Sequence, residues 1–261
     1  MGLITKSKSL LQTTLGVKNY LFFISVLKFN FLKLDKRESD IFKFIELIPE
    51  NTDVLDIGAN IGVISATIAK SKNVFVHSFE PIPANAKNVS RLTSFLNIKN
   101  LALYQTALGS THGKVEMITP RRDNVLLEGY SHIIDSKSTE NVGAHFTVEI
   151  NMLDNISAIS SKTISAIKID VENYELEVLK GAAKLIAKSH PIIYCELWNN
   201  SVRFEVINYL SSFGYKCYVK RNSELKESDG YVGDDLNFFF LYENLGRVHS
   251  EKEFLNGTIQ T

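Results

Sequence analysis

Asp53-Val54-Leu55-Asp56-Ile57-Gly58-Ala59-Asn60-Ile61-Gly62 reads as an apolar strand running into a glycine turn that opens a helix. A second apolar run, Val74 to Glu80, ends on a carboxylate. Together they lay out a nucleoside-binding α/β site. Gly58 and Gly62 let backbone amides approach a ligand with no Cβ in the way, and the helix expected from Ile61 to about Ser71 presents its positive end there. Glu80 falls about 20 residues past the turn, where an acid can accept both hydrogen bonds of a ribose diol.

The turn decides which nucleoside. A dinucleotide fold wants G-x-G-x-x-G, with room for a pyrophosphate at the helix start. Here the pattern is D-x-G-x-N-x-G, with Asp56 two residues before the first glycine. A carboxylate at that point repels a pyrophosphate and suits a cationic sulfonium. Asp56, Gly58, Asn60 and Gly62 therefore favour S-adenosylmethionine over NAD. The G-x-x-x-G spacing alone is weak, because helix packing uses it too; two flanking strands and Glu80 make it specific.

Outward from this stretch the chain alternates strand and helix. Ile41 to Ile48 has helical spacing and stops at Pro49. Helices are expected over Pro83 to Leu96, Tyr174 to Lys188 and Val202 to Phe213, the first with proline at its start and the last ended by Gly214. Strands are expected over Leu101 to Thr106, Ala166 to Asp170, Pro191 to Glu196, Tyr215 to Lys220 and Asn237 to Tyr242. Lys114 to Met117 and Thr147 to Met152 read as short strands bracketing an irregular insert. This alternation implies a doubly wound, mostly parallel sheet whose ligands sit at the carboxyl ends of the strands. Residues 1–45 read as an N-terminal helical extension, 46–245 as the α/β domain and 246–261 as a tail.

Composition permits this organisation and excludes little. The 261 residues carry 29 Lys plus Arg and 29 Asp plus Glu, so formal charge is zero and no nucleic-acid stripe stands out. Cys195 and Cys217 lie in expected core strands and read as reduced thiols of a cytoplasmic protein. Leu21 to Leu27 is an apolar run, extended by Phe29, Phe31, Leu32 and Leu34 but interrupted by Lys28 and Lys33. It is too short for a membrane span, and no small-residue cleavage site follows it clearly. Met1-Gly2 opens like a myristoylation signal, but Lys6 stands where Ser or Thr is wanted. The plain reading is helices capping the domain; the sharper one is a surface that touches a membrane or a lipid-linked substrate.

The second chemical segment runs from Ile167-Lys168-Ile169-Asp170-Val171-Glu172-Asn173-Tyr174 to Lys180-Gly181-Ala182. A short strand delivers Asp170 and Glu172 to the sheet rim, where two carboxylates can converge as general base or metal ligands. Asp170 also suits a helix N-cap. Glu175 and Glu177 begin the helix, where acids favour the dipole, and read as structural.

With Phe79-Glu80-Pro81, Ala107-Leu108-Gly109 and the Leu153-Asp154 segment added, the chain over roughly residues 52–242 resembles the FkbM-type methyltransferases. The resemblance implies a class I, Rossmann-like, seven-stranded fold and S-adenosylmethionine as cofactor, held by Asp56, Gly58, Ala59, Asn60, Gly62, Glu80 and Pro81, with Ala107 near the adenine. One departure is Asn173, where the family usually has glycine; asparagine tolerates the left-handed angles such a turn needs.

A sugar hydroxyl is a poor nucleophile at neutral pH and needs a base or a metal. Asp170, Glu172 and Glu196 are candidates to activate it, to bind Mg²⁺ together, or to hold acceptor hydroxyls directly. His132, in the insert, is the other candidate base, and His145 shares the insert. His77 reads as a packed core histidine and His190 as a turn residue. Trp198 reads equally as a sugar-stacking platform and as a lid over the core. The resemblance implies O-methylation of a sugar in a glycan or glycosylated metabolite. A polyketide or other small molecule as acceptor, and a non-catalytic nucleoside-binding domain, are the alternatives.

Overall fold

Strand periodicity builds the sheet. In Asp53–Ile57, Val54 packs into one apolar cluster while Leu55 and Ile57 pack into another on the opposite face, so both faces are covered. The structure is a computed structural model and describes residues 3–122, 125–126, 131–134, 142–231, 233 and 235–243. The expected tail at 246–261 and Tyr130 of the insert lie outside the described residues.

In chain order the elements are α1 (Leu3–Phe31), α2 (Ser39–Leu47), β1 (Asp53–Ile57), α3 (Val63–Ser71), β2 (Phe75–Phe79), α4 (Pro83–Phe95) and β3 (Leu101–Tyr104). There follow β4 (Ala107–Leu108), β5 (Gly113–Arg122), β6 (Val125–Leu126), β7 (His132–Ile133), β8 (Gly143–Asn151), α5 (Ser157–Ser160) and β9 (Ile164–Ile169). The chain continues with α6 (Glu175–Lys180), α7 (Ala183–Ser189), β10 (Ile192–Glu196), α8 (Ser201–Ser211), β11 (Tyr215–Arg221), β12 (Glu224–Glu227) and β13 (Asn237–Tyr242).

The large sheet has the order β12-β11-β13-β10-β9-β1-β2-β3. β10, β9, β1, β2 and β3 run parallel, and β13 and β11 close it antiparallel. Seven strands thus make the doubly wound sheet expected from sequence. β12 adds an eighth through a tight turn at Asn222-Ser223, where Asn222 takes φ 57°; its sequence Glu-Leu-Lys-Glu suits an edge strand, where charge discourages further pairing. α6, α7 and α8 cover the face of Leu55 and Ile57. α1, α2, α3 and α4 cover the face of Val54.

Two expectations change. The insert is a second sheet, because β5 and β8 pair antiparallel from Gly113↔Ile150 to Pro120↔Gly143, with β4, β6 and β7 attached. Its apolar side, Met117, Val148 and Ile150, packs over Ile82 and Ala107. The helix expected over Tyr174 to Lys188 is broken into α6 and α7 at Gly181, because the Gly109 backbone crosses there; a Cβ on Gly181 would lie 1.9 Å from the Gly109 carbonyl oxygen.

α1 bends at Gly16, whose φ of 69° and ψ of 152° leave the helical region. Tyr20, Leu21 and Leu32 of this segment are buried in the domain core. At roughly 1.5–3 kcal/mol per buried side chain, the three together approach the net stability of a whole domain. The N-terminal segment is therefore anchored to the sheet layer.

Candidate active site

Parallel strands bring their carboxyl ends to one edge, and β2, β1, β9 and β10 deliver Glu80, Gly58, Asp170 and Glu196 there. Two cavities open on this edge. The first, about 630 Å³ including the solvent at its mouth, is lined by Ile82, Ala107, Leu108, Met117 and Ile133, with Glu80, Asn60 and Asn85 on its polar side. The second is a trough of about 1780 Å³ including the solvent at its mouth, bounded by Lys168, Glu196, Asn237 and the end of α1. Gly58, Asn60 and Asp170 line both.

The glycine turn shapes the first cavity. Gly58 (φ 80°) crosses under the end of β9, and a Cβ there would lie 1.9 Å from the Asp170 carbonyl oxygen, so only glycine fits. Asn60 takes a left-handed φ of 50° and its amide donates to Glu80 Oε2 at 2.8 Å. Glu80 Oε1 accepts from the Ile82 amide at 3.0 Å and Asn85 Nδ2 at 3.3 Å. Burial pushes the Glu80 carboxyl up to about 7, against those three donors. The Oδ1 atoms of Asn60 and Asn85 are buried with no protein partner, so this apolar slot still offers polar atoms to a ligand. An apolar lining, an acid and orphaned amide oxygens fit an adenosyl group. Pro81 also lines this cavity and Ala59 the trough.

Asp56 and Gly62 line neither cavity, which corrects the expectation that they touch the cofactor. Asp56 is fully buried; its Oδ2 accepts the Ser65 hydroxyl at 2.5 Å and its Oδ1 lies 3.4 Å from Lys168 Nζ. Strand register explains this, because Asp56 faces Lys168 directly across β1 and β9. Gly62 (φ 87°) opens α3 where that helix packs on α4, its Cβ position 3.1 Å from Val89.

Lys168 is the residue that sequence reading missed. It is buried, donates to the Gly58 carbonyl at 3.0 Å and to Asp170 Oδ2 at 3.3 Å, and pairs with Asp56. Burial opposes its charge, but Asp170 and Asp56 hold the ammonium firmly protonated. The signal was present: one lysine inside the apolar strand Ile164–Ile169 requires a buried counter-charge. Asn85 was also missed, as was Arg203. The guanidinium of Arg203 donates to the Leu197 and Asp235 carbonyls at 3.0 and 2.8 Å, pinning the chain that leaves β10 at Glu196.

The acids at the rim differ. Glu196 faces the trough, and burial, then repulsion from Asp170, push its carboxyl up to about 7. Glu172 lines the first cavity instead; burial, then Asp170 and Glu196, push it up to about 8. Glu172 and Asn173 both take positive φ, 54° and 71°. Glu175 holds this turn by accepting the Val171 and Asn173 amides at 3.3 and 3.1 Å, a structural role as expected.

Asp170, Glu172 and Glu196 do not make the expected Mg²⁺ site. Among the described residues no group of three or more His, Cys, Asp or Glu is placed to hold a metal ion. Glu172 faces a different cavity from Glu196, and the Lys168 ammonium already occupies the carboxylates of Asp170 and Asp56. His132 is corrected as a candidate base, because strand alternation turns its neighbours Ser131 and Ile133 into the first cavity and His132 away from both. His145 is exposed on β8, and Trp198, 39 % exposed, lines neither cavity. His77 is packed against Asp53 and Tyr104, and His190 ends α7 with φ 44°, both as expected.

A family model described as the methyltransferase FkbM domain matches residues 56–217. No curated protein matches the chain. Among solved structures, methyltransferase FkbM from Methylobacillus flagellatus KT is 16% identical with a TM-score of 0.48, the match covering 72% of this chain and 43% of that one. This chain therefore spans less than half the length of that protein. Precorrin-6y C5,15-methyltransferase from Geobacter metallireducens GS-15 is 11% identical with a TM-score of 0.43, covering 78% and 84% of the two chains. A Streptococcus mutans protein, provisionally assigned as a methyltransferase and solved in complex with SAH, is 11% identical with a TM-score of 0.44, covering 78% and 94%.

Proposed function

We propose that this chain, which belongs to the FkbM methyltransferase family, is an S-adenosylmethionine-dependent O-methyltransferase whose acceptor is a hydroxyl of a sugar in a glycan or glycosylated metabolite. One observation carries the reading: Gly58, Asn60 and Asp170 line both a largely apolar slot and a broad trough with acids on its wall. Methyl transfer needs such a junction, with cofactor on one side and acceptor on the other.

Glu80, Asn60 and Asn85 would hold the ribose side of the cofactor, with Ile82, Ala107, Leu108 and Met117 against the adenine. Bound there, S-adenosylmethionine supplies a methyl on a positively charged sulfur, which leaves as a neutral thioether when the acceptor oxygen bonds the carbon. Glu196 accepts the proton released from the acceptor hydroxyl. Its value of about 7 suits a general base, since a base poised near the working pH is both ionised and strong. Asp170, held by Lys168, would accept a second acceptor hydroxyl at the junction. Asp56 and Lys168 act as positioning residues, fixing the Gly58 carbonyl and Asp170. Orientation of the reacting groups supplies much of the rate.

A sugar acceptor is supported by the trough's acids and amide, Asp170, Glu196 and Asn237, which match a polyol. A non-catalytic nucleoside-binding domain would not need a carboxylate tuned to about 7 facing an open trough. The buried, free Cys195 and Cys217 fit a cytoplasmic location.

The test is incubation with methyl-labelled cofactor and fractionated host glycans, followed by mass spectrometry. Label is expected in an alkali-stable ether on a sugar. Label in a polyketide fraction would move the acceptor class, and no transfer despite cofactor binding would favour the non-catalytic domain.

A further inference from the structure

The end of α1 carries an apolar stripe that the fold does not use. Phe23, Leu27 and Phe31 recur every fourth residue on one face, and Leu34 continues them; they are exposed by 45, 38, 57 and 76 %. The same segment is anchored in the core by Tyr20, Leu21 and Leu32. Leu10–Leu34 is long and apolar enough to cross a membrane, yet only 22 % of its most apolar window is buried. Pulling it into a span would strip those three anchors from the core, whereas lying flat leaves them in place.

Charge favours a particular surface. The whole chain is neutral, but residues 1–34 hold five lysines and no acid or arginine. Exposed Lys28 and Lys33 flank the stripe, as expected for a helix lying on anionic headgroups. The stripe also runs into the candidate site: Leu27, Lys28 and Phe31 line the same trough as Asp170 and Glu196. A ligand entering from that side meets apolar side chains first and carboxylates beyond.

We infer that α1 lies in the plane of an anionic lipid surface on its Phe23–Leu27–Phe31–Leu34 stripe, and that the trough takes its hydroxyl acceptor from that surface as an amphiphile. The acceptor half of this inference rests on the methyltransferase reading above. The polar, hydroxylated head would meet Asp170 and Glu196, and the apolar chain would follow Leu27 and Phe31.

The test is sedimentation of the full chain with phosphatidylcholine vesicles, with and without phosphatidylglycerol, alongside calorimetric titration with S-adenosylhomocysteine. The wild type should bind the anionic vesicles in a salt-sensitive way and the neutral ones far less. Phe23→Ser with Leu34→Ser, neither of which lines the trough, should weaken vesicle binding about tenfold or more and leave the titration unchanged. Equal sedimentation of wild type and variant, or no vesicle binding by a wild type that titrates normally, overturns the inference and leaves the methyltransferase reading standing. A wild type that is dimeric where the variant is monomeric would assign the stripe to a second copy and equally overturn it. Absence of S-adenosylhomocysteine binding is instead a failure of the methyltransferase reading. In a transfer assay with membrane extract, label should enter the organic-soluble fraction; label confined to water-soluble glycans overturns the amphiphile.

Discussion

The two cavities at the sheet edge are built in opposite ways. The cofactor slot is mostly apolar; Gly58, Asn60, Glu80, Pro81 and Ile82 reach it from two neighbouring strand ends, and Ala107, Leu108, Met117 and Ile133 line its other side. The trough is wide and acid-rich, and it draws on α1, β9, β10 and the start of β13, regions far apart in sequence. A site that grips one constant ligand can be a local motif; a site that selects an acceptor is assembled from the periphery, where extensions vary freely. Lys168 joins the two, touching the Gly58 carbonyl on one side and Asp170 on the other.

Substitutions should separate the chambers. Glu196→Gln should lower turnover by about 10²–10⁴-fold, the range for losing a general base, with cofactor affinity unchanged. A parallel loss of cofactor affinity would mean that the trough is not a separate chamber. The wild-type rate should climb as pH rises through about 7, because Glu196 must be ionised to act, and this limb should vanish in the variant. Next in size, Lys168→Met should damage both sides. Removing one partner of a buried pair leaves Asp56 uncompensated, a loss of about 3–5 kcal/mol measurable by urea denaturation. Full stability in that variant would show that Asp56 is held without its lysine.

How much of this was legible follows the same division. The slot was written in one stretch: the positions of Gly58, Asn60 and Glu80 follow from strand, turn and spacing alone. The trough was half legible. Glu196 and Asp170 could be placed at strand ends, but the upward shift of Glu196 comes from its burial and from the nearness of Asp170, which only the folded sheet reveals. Asp56 misled for the same reason, since only cross-strand register reveals that it faces Lys168 rather than a ligand. The insert was misjudged because β5 and β8 pair across a stretch with weak periodicity, and that second sheet is what turns His132 away.

Three smaller effects sharpen the contrast. Glu80→Ala should weaken S-adenosylhomocysteine binding by about 1.5–3 kcal/mol in calorimetry while sparing the pH profile that Glu196 sets. An unaltered dissociation constant would remove Glu80 from the slot. Glu172→Gln tests the slot's other acid through stability. With its folded value at about 8, above the ordinary 4.5, the folded state keeps a proton that the unfolded chain releases. Stability from this group is therefore fully present below about 4.5 and lost as pH rises through about 8. Glutamine should stabilise the ligand-free protein at alkaline pH by about 1–2 kcal/mol after allowing for partial exposure, seen as a raised melting midpoint, and leave that midpoint unmoved at or below about pH 4.5. His132→Ala should change turnover by no more than about twofold; a larger loss would return the insert histidine to the reaction.

The most direct measurement is a crystal structure of the chain with S-adenosylhomocysteine. The adenine should lie among Ile82, Ala107, Leu108 and Met117, with the ribose hydroxyls on Glu80 and the sulfur at the Gly58–Asp170 junction facing Glu196. An adenosyl group lying in the trough against α1, with the Glu80 slot unfilled, would contradict the assignment of the two chambers.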